Sequence, residues 1–274
     1  MNKIIIADSS CDIDVTKFDV DVKIVPMSVN LDDKVYVDDY TNNLEDFITS
    51  MEKAQSTSSA CPSPNTWFEA AKDYDEIYMV TLSSRLSGSF NSAMTAKNML
   101  EDEFEDKKIM VIDAKSAAGA LMLICEKLQE LIKEGKTFDE IKREIIFYPD
   151  KIKTTFSLVK YDNFVKNGRI SKLAFTAATA LNLCFVAQGN EGVIDVIAKC
   201  RGSKKAFKQL CEIIKENGYK GKMIITYCLD ETNAKIVFDY FKAIDENLDI
   251  RLVQANVLCG YYIDRGGVVV AYEV

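Results

Sequence analysis

The 274-residue chain contains no histidine. Ser-His-Asp hydrolysis, Cys-His proteolysis and imidazole-ligated zinc sites are therefore excluded. Any nucleophile must rely on an Asp, Glu or Lys base instead. A basic surplus is also missing. The 34 Lys and Arg face 42 Asp and Glu, for a net charge of −8. The basic residues are scattered, which argues against a nucleic-acid surface. Neither G-x-x-x-x-G-K-[ST] nor G-x-G-x-x-G occurs, so no nucleotide-phosphate loop is visible. The cysteines are Cys11, Cys61, Cys125, Cys184, Cys200, Cys211, Cys228 and Cys259, and no two make a C-x-x-C pair. They read as reduced, mostly buried thiols of a cytoplasmic protein. The start, MNKIIIADSS, reads as a first strand rather than a secretion signal. Residues 173–190 carry no charge for eighteen positions, long enough to span a bilayer. They include Thr176, Thr179, Asn182 and Gln188 and are rich in alanine. This stretch reads as a buried helix and strand, and no transmembrane segment is expected.

Hydrophobic residues make up 48% of the chain and charged residues 28%, the balance of a globular domain or two. In the first half, apolar runs at 3–7, 21–31, 76–83 and 108–113 read as strands. Helical patterns at 44–54, 63–73, 89–100 and 116–135 separate or follow them, and TFDEIKREIIFYPDKI reads as a further helix. Strands separated by helices of this length predict parallel βαβ units. Beyond residue 150 the texture changes. LCFVAQ and GVIDVIAKC flank a turn at 189–192, which predicts a hairpin and a mixed or antiparallel sheet. DNFVKNG and ISKLAFTAATAL read as helices. Strands at 153–159, 222–229, 250–257 and in GGVVVAYEV, with helices at 203–217 and 231–245, complete this half. The expected fold is therefore α/β, in two domains. Residues 1–150 form a mostly parallel sheet with flanking helices. Residues 151–274 form a mixed or antiparallel sheet with helices.

Residues 81–93, TLSSRLSGSFNSA, hold five serines and one threonine around Gly88. They join the C-terminal end of a strand to the start of a helix. Ligands of open α/β sheets bind at such strand ends, and a helix N-terminus favours anions. Hydroxyls there add donors without charge, which suits holding a carboxylate or phosphate. Simple helix capping explains any one of these serines equally well. A second hydroxyl-rich turn is expected at 56–64, STSSACPSP, where Pro62 and Pro64 precede a helical pattern.

These segments together resemble the DegV family. The resemblance runs through IIIADSSCDI, SACPSP at 59–64, LSSRLSGSFNSA, NGRIS at 167–171 and DVIAKCRGSKKA at 195–206. It implies a long-chain fatty acid buried in a ligand cleft between the two α/β domains, its carboxylate held by hydroxyls from the two turns. Carried over by motif, these residues are Ser59 and Ser87, with Gly88 letting the backbone approach the head group. Arg201 is implied near the head group or the domain interface. Arg169 has an equal claim to a partner-docking or surface role. The chain departs from the family pattern at Ala60 and Cys61. It departs again at Tyr262, which stands where many members have a histidine, and at Asp264 and Arg265. Tyr262 still offers a phenol donor, although not a base at neutral pH.

The resemblance implies a carrier, not an enzyme. It would present the carboxyl group to a separate fatty acid kinase for acyl-phosphate formation, with no cofactor or metal of its own. Two other readings stay open on the residues. One is a serine-dependent acyl hydrolase or phosphoryl-transfer enzyme, with Ser87 as nucleophile and Lys115 or Asp8 as helper. The other is a binder of another small anion.

Overall fold

The structure, a computed structural model, describes residues 2–170 and 183–274. Strand β1 (Lys3–Asp8) is apolar from Ile4 to Ala7, and all four side chains are fully buried. A strand covered on both faces reads as a continuous apolar run. Ile4 and Ile6 pack into one core with Trp67, Ala96 and Leu100. Ile5 and Ala7 pack into another, with Tyr78 and Leu121. β1 pairs in parallel with β2 (Val22–Val25) and with β6 (Glu76–Thr81), and β6 pairs in parallel with β7 (Lys108–Asp113). The order is β2-β1-β6-β7. Helices α2 (Pro64–Ala71) and α3 (Ser89–Glu103) cover one face and α4 (Gly119–Lys133) the other.

The run at 21–31, expected as one strand, is two strands in two sheets. Pro26 has no N–H for a ladder, and Met27 N donates out of the sheet to Ser9 Oγ at 3.0 Å. The chain continues as β3 (Ser28–Leu31), which pairs antiparallel with β4 (Lys34–Val37) and with β5 (Thr57–Ala60). The first part of the expected serine turn at 56–64 is thus an edge strand. The predicted helix start survives just beyond it. Ser63 Oγ accepts from Thr66 N at 3.2 Å, with Pro64 opening α2.

The second α/β domain is built on β8 (Ile152–Ser157), β9 (Leu183–Asn190), β10 (Val193–Arg201), β11 (Lys222–Tyr227), β12 (Asp249–Gln254) and β13 (Val268–Glu273). Their order is β10-β9-β8-β13-β11-β12. β11 and β12 are parallel, while the other pairs are antiparallel. The predicted hairpin is present. Glu191 and Gly192 both take positive φ, 47° and 81°, as a two-residue type I′ turn requires. Helices α7 (Ser203–Glu216) and α8 (Thr232–Ile244) pack on this sheet through Phe207, Leu210 and Phe241. The strand expected over 250–257 ends at Gln254, and Val257–Ile263 is a short buried helix, α9. Seven residues are too few to show a helical period in sequence. The remaining α-helices among the described residues are α1 (Leu44–Lys53), α5 (Phe138–Ile145) and α6 (Asp162–Lys166). The helix expected over ISKLAFTAATAL lies, beyond Ile170, outside the described residues. No helix among the described residues is long and apolar enough to cross a membrane.

α4 joins the halves. Its residues Ala120 to Cys125 are all buried, the pattern of a helix enclosed on every side. It touches β1 and β6 on one side and β8, β11 and β13 on the other. Gly119 makes the approach possible, since a Cβ there would lie 2.6 Å from Ile224 Cβ.

Candidate functional site

A cavity of about 340 Å³ lies between the two sheets' domains. Its walls are mainly apolar. Leu82 and Leu86 come from the first domain, and Phe156, Ile194 and Val269 from the second. α9 contributes Leu258 and Ile263. Such a size and lining suit a small apolar ligand. Ile194 lines this cavity, whereas Leu183, Phe185 and residues 121–124 do not. A wider groove of about 990 Å³ runs beside β12. Of its charged side chains, Lys222 pairs with Glu130 at 2.7 Å and Arg251 with Glu126 at 2.5 Å.

One rim of the cavity is polar. The turn before α3 supplies Ser87 and Gly88, β5 supplies Ser59 and Ala60, and Cys61 follows. The two hydroxyl-rich segments therefore meet. Ser92 Oγ donates to Pro62 O at 2.5 Å, and a Cβ on Gly88 would come within 3.1 Å of Cys61 Sγ. α9 brings Tyr262 to the same rim, where its phenol shares a 2.8 Å hydrogen bond with Ser59 Oγ. Burial raises the Tyr262 phenol, while the Ser59 bond and the Arg169 charge oppose the shift. The phenol therefore stays protonated at neutral pH.

Arg169 lines the cavity as well. The chain leaves α6 through Gly168 at φ 72°, a left-handed helix end that favours glycine. Arg169 then turns back, donating from Nε to Leu86 O at 3.1 Å and from Nη1 to Asn167 O. Arg201 is elsewhere. It is exposed at the far end of β10 and is not among the residues lining the cavity. From Ile194 to Arg201 the strand advances roughly 23 Å. Arg201, implied near the head group or the domain interface, does not line the cavity, whereas Arg169 does.

The serine turn divides its hydroxyls. Ser83 Oγ donates to Gly192 O at 2.6 Å, tying the turn to the β9–β10 hairpin. Ser89 Oγ donates to Asp8 Oδ2 at 2.7 Å. That same oxygen accepts from Leu82 N at 2.8 Å, and Asp8 Oδ1 accepts from Ser10 Oγ at 2.5 Å. Burial pushes Asp8 up, against the four hydrogen bonds it accepts. Asp8 thus organises the turn. None of the serines caps α3 through its side chain. Ser87 Oγ accepts only a 3.2 Å bond from Ser89 N among the described contacts. Neither proposed helper activates it. Asp8 is bonded to Ser10 and Ser89, and Lys115 pairs with Asp150 at 2.5 Å.

α9 is anchored to the first domain by two buried aspartates. Asp12 Oδ1 accepts from Asn256 N at 2.7 Å, and Asp38 Oδ1 accepts from Val257 N at 2.9 Å. Burial and the neighbouring Asp38 charge push Asp12 up to about 8. Burial pushes Asp38 up to about 6. These two residues, and Arg169's place at the rim, were not evident from sequence. Among the described residues, no group of three or more His, Cys, Asp or Glu could hold a metal ion.

Residues 3–273 match the profile of the DegV family, described as uncharacterised protein. A DegV domain-containing protein of Streptococcus pneumoniae is 36% identical, over 98% of both chains. Two solved structures are similar throughout. One is a DegV family protein from Eubacterium eligens loaded with heptadecanoic acid, at 34% identity, TM-score 0.94 and 99% coverage of both chains. The other is the Streptococcus pneumoniae fatty acid kinase (Fak) B3 protein loaded with linoleic acid, at 34% identity, TM-score 0.96 and 100% coverage of both.

Proposed function

The chain belongs to the DegV family, and from that premise we propose that it binds a long-chain fatty acid between its two domains, taken as residues 1–150 and 151–274. The observation that carries the reading is the cavity itself, which has apolar walls and one rim of neutral hydroxyls beside an arginine. The acyl chain fills the apolar part. Each buried methylene contributes about 0.8 kcal/mol, so roughly fifteen give about 12 kcal/mol gross. Association costs of several kcal/mol leave micromolar or tighter binding.

The carboxylate sits at the rim, where a buried charge needs donors. Ser87 and the free hydroxyl proton of the Ser59–Tyr262 pair are donated to it, and Arg169 supplies the positive charge. Gly88 admits the head group close to the backbone. The protein acts as a carrier with no catalytic residue, and among the described residues no base is bonded to Ser87. A separate kinase takes the presented carboxyl group and supplies the nucleotide. The two liganded relatives, one of them a fatty acid kinase protein, support this reading. All eight cysteines are free, which suits a reducing compartment such as the cytoplasm.

The test is calorimetry on delipidated protein with palmitic acid and with its methyl ester. The acid should bind at micromolar affinity or better, and the ester at least tenfold more weakly. Equal affinities would remove the head-group assignment. No binding of either would remove the carrier reading.

A further inference from the structure

Cys184 and Cys200 stand directly opposite one another on β9 and β10. Opposed Cα atoms of an antiparallel pair lie about 4.5 or 5.5 Å apart. Both values fall within the roughly 4.4–6.8 Å that a disulfide spans. The two side chains share a face, because both pack against the core that contains Phe207 and Leu210. The register depends on a bulge. Next to the turn, Val196 opposes Ala187, and the same register continued would set Lys199 against Cys184. The irregularity between Val196 and Ala198 adds one residue and brings Cys200 there instead.

Both thiols are free and half-buried, and β10 is the edge strand of its sheet. Burial and the neighbouring Cys184 push the Cys200 thiol up. The other cysteines differ. Cys11, Cys125, Cys211, Cys228 and Cys259 are buried, while Cys61 is exposed on a different element.

We propose that Cys184 and Cys200 form a reversible dithiol–disulfide site that exchanges with low-molecular-weight disulfides. One thiol loses its proton and its thiolate attacks the small disulfide. A protein–small-molecule S–S bond forms, and one small thiolate leaves. The second cysteine, once deprotonated, attacks the protein sulfur of that mixed disulfide. The Cys184–Cys200 bond forms and the second small thiolate leaves. The two cysteines are oxidised by two electrons, the small disulfide is reduced to two thiols, and the two protons end on those thiols. The product pins β9 to β10 at the end remote from the turn.

The experiment treats the native protein with glutathione disulfide at mildly alkaline pH, quenches with iodoacetamide and maps tryptic peptides. Trypsin separates residues 173–199 from residues 200–201, so the link is seen as two peptides joined with loss of two hydrogens. The expected result is that joined pair as the main product, with Cys61 carrying a glutathione adduct. Dithiothreitol should reverse both. In Cys200→Ser, Cys184 should stop at the glutathione adduct. Cys184 and Cys200 alkylated, or each carrying its own glutathione, while Cys61 has reacted would overturn the proposal. So would either cysteine joined mainly to another partner.

Discussion

Ser89 and Ser87 lie two residues apart in one turn, and their hydroxyls face different tasks. Ser89 is fully buried and bonded to Asp8. Ser87 is half-buried on the cavity wall, accepting a single backbone bond. The same division separates Ser83 and Ser92, which bond backbone carbonyls, from Ser59 and Tyr262, which bond each other at the rim. A count of hydroxyls in a turn therefore mixes two populations. One builds the turn, and the other is left with donor capacity facing empty space. Buried polar groups that have found partners are structure. Those that line a cavity with capacity to spare are where a ligand's charge can be met.

The comparison breaks first at Asp8. Asp8→Ala leaves Leu82 N and the Ser10 and Ser89 hydroxyls without their acceptor, at about 1–3 kcal/mol for each unsatisfied group. Chemical denaturation should show a loss of at least about 3 kcal/mol. A loss under 1 kcal/mol would mean that Asp8 does not hold the turn.

The next effect belongs to the aspartates under α9. Their folded values, about 8 for Asp12 and about 6 for Asp38, lie above the ordinary 3.8. The folded chain thus keeps protons that the unfolded chain has released. Their contribution is fully present below the unfolded value and is lost as pH rises through about 6 and then about 8. Asp12 alone gives a slope of up to about 1.4 kcal/mol per pH unit across that upper window. Asp12→Asn should flatten the fall in stability between pH 6 and 8. A mutant profile parallel to the wild type would contradict the assignment.

The cavity side gives smaller, ligand-specific effects. Ser87→Ala should weaken fatty-acid binding by about 1–3 kcal/mol while leaving lipid-free stability within about 0.5 kcal/mol. A stability loss without an affinity loss would move Ser87 into the structural population. Tyr262→Phe removes one neutral donor and should weaken binding by about 1 kcal/mol, measured by the same titration. No change would show that the phenol serves Ser59 alone.

Much of this architecture was legible because it is written in period and punctuation. The IIIA run of β1, the turn before Val193 and the Ser63-Pro64 helix start all read correctly. Other features depend on contacts that no local pattern carries. Pro26 divides one apolar run between two sheets. The serines at 57–60 become a strand only because β3 lies beside them. α9 is too short to announce itself, so Tyr262 was legible only through the family resemblance. The same resemblance suggested Arg201, yet the length of β10 carries that residue away from the cavity. Arg169 reaches the rim through the turn at Gly168, a geometry that sequence spacing does not contain.

The most direct test of the account is mass spectrometry of a solvent extract of the protein, purified without added lipid. The account predicts close to one long-chain monocarboxylic acid per chain for the wild type, and a reduced amount for Ser87→Ala. An extract free of such acids, from protein that also fails to take them up when they are supplied, would contradict it.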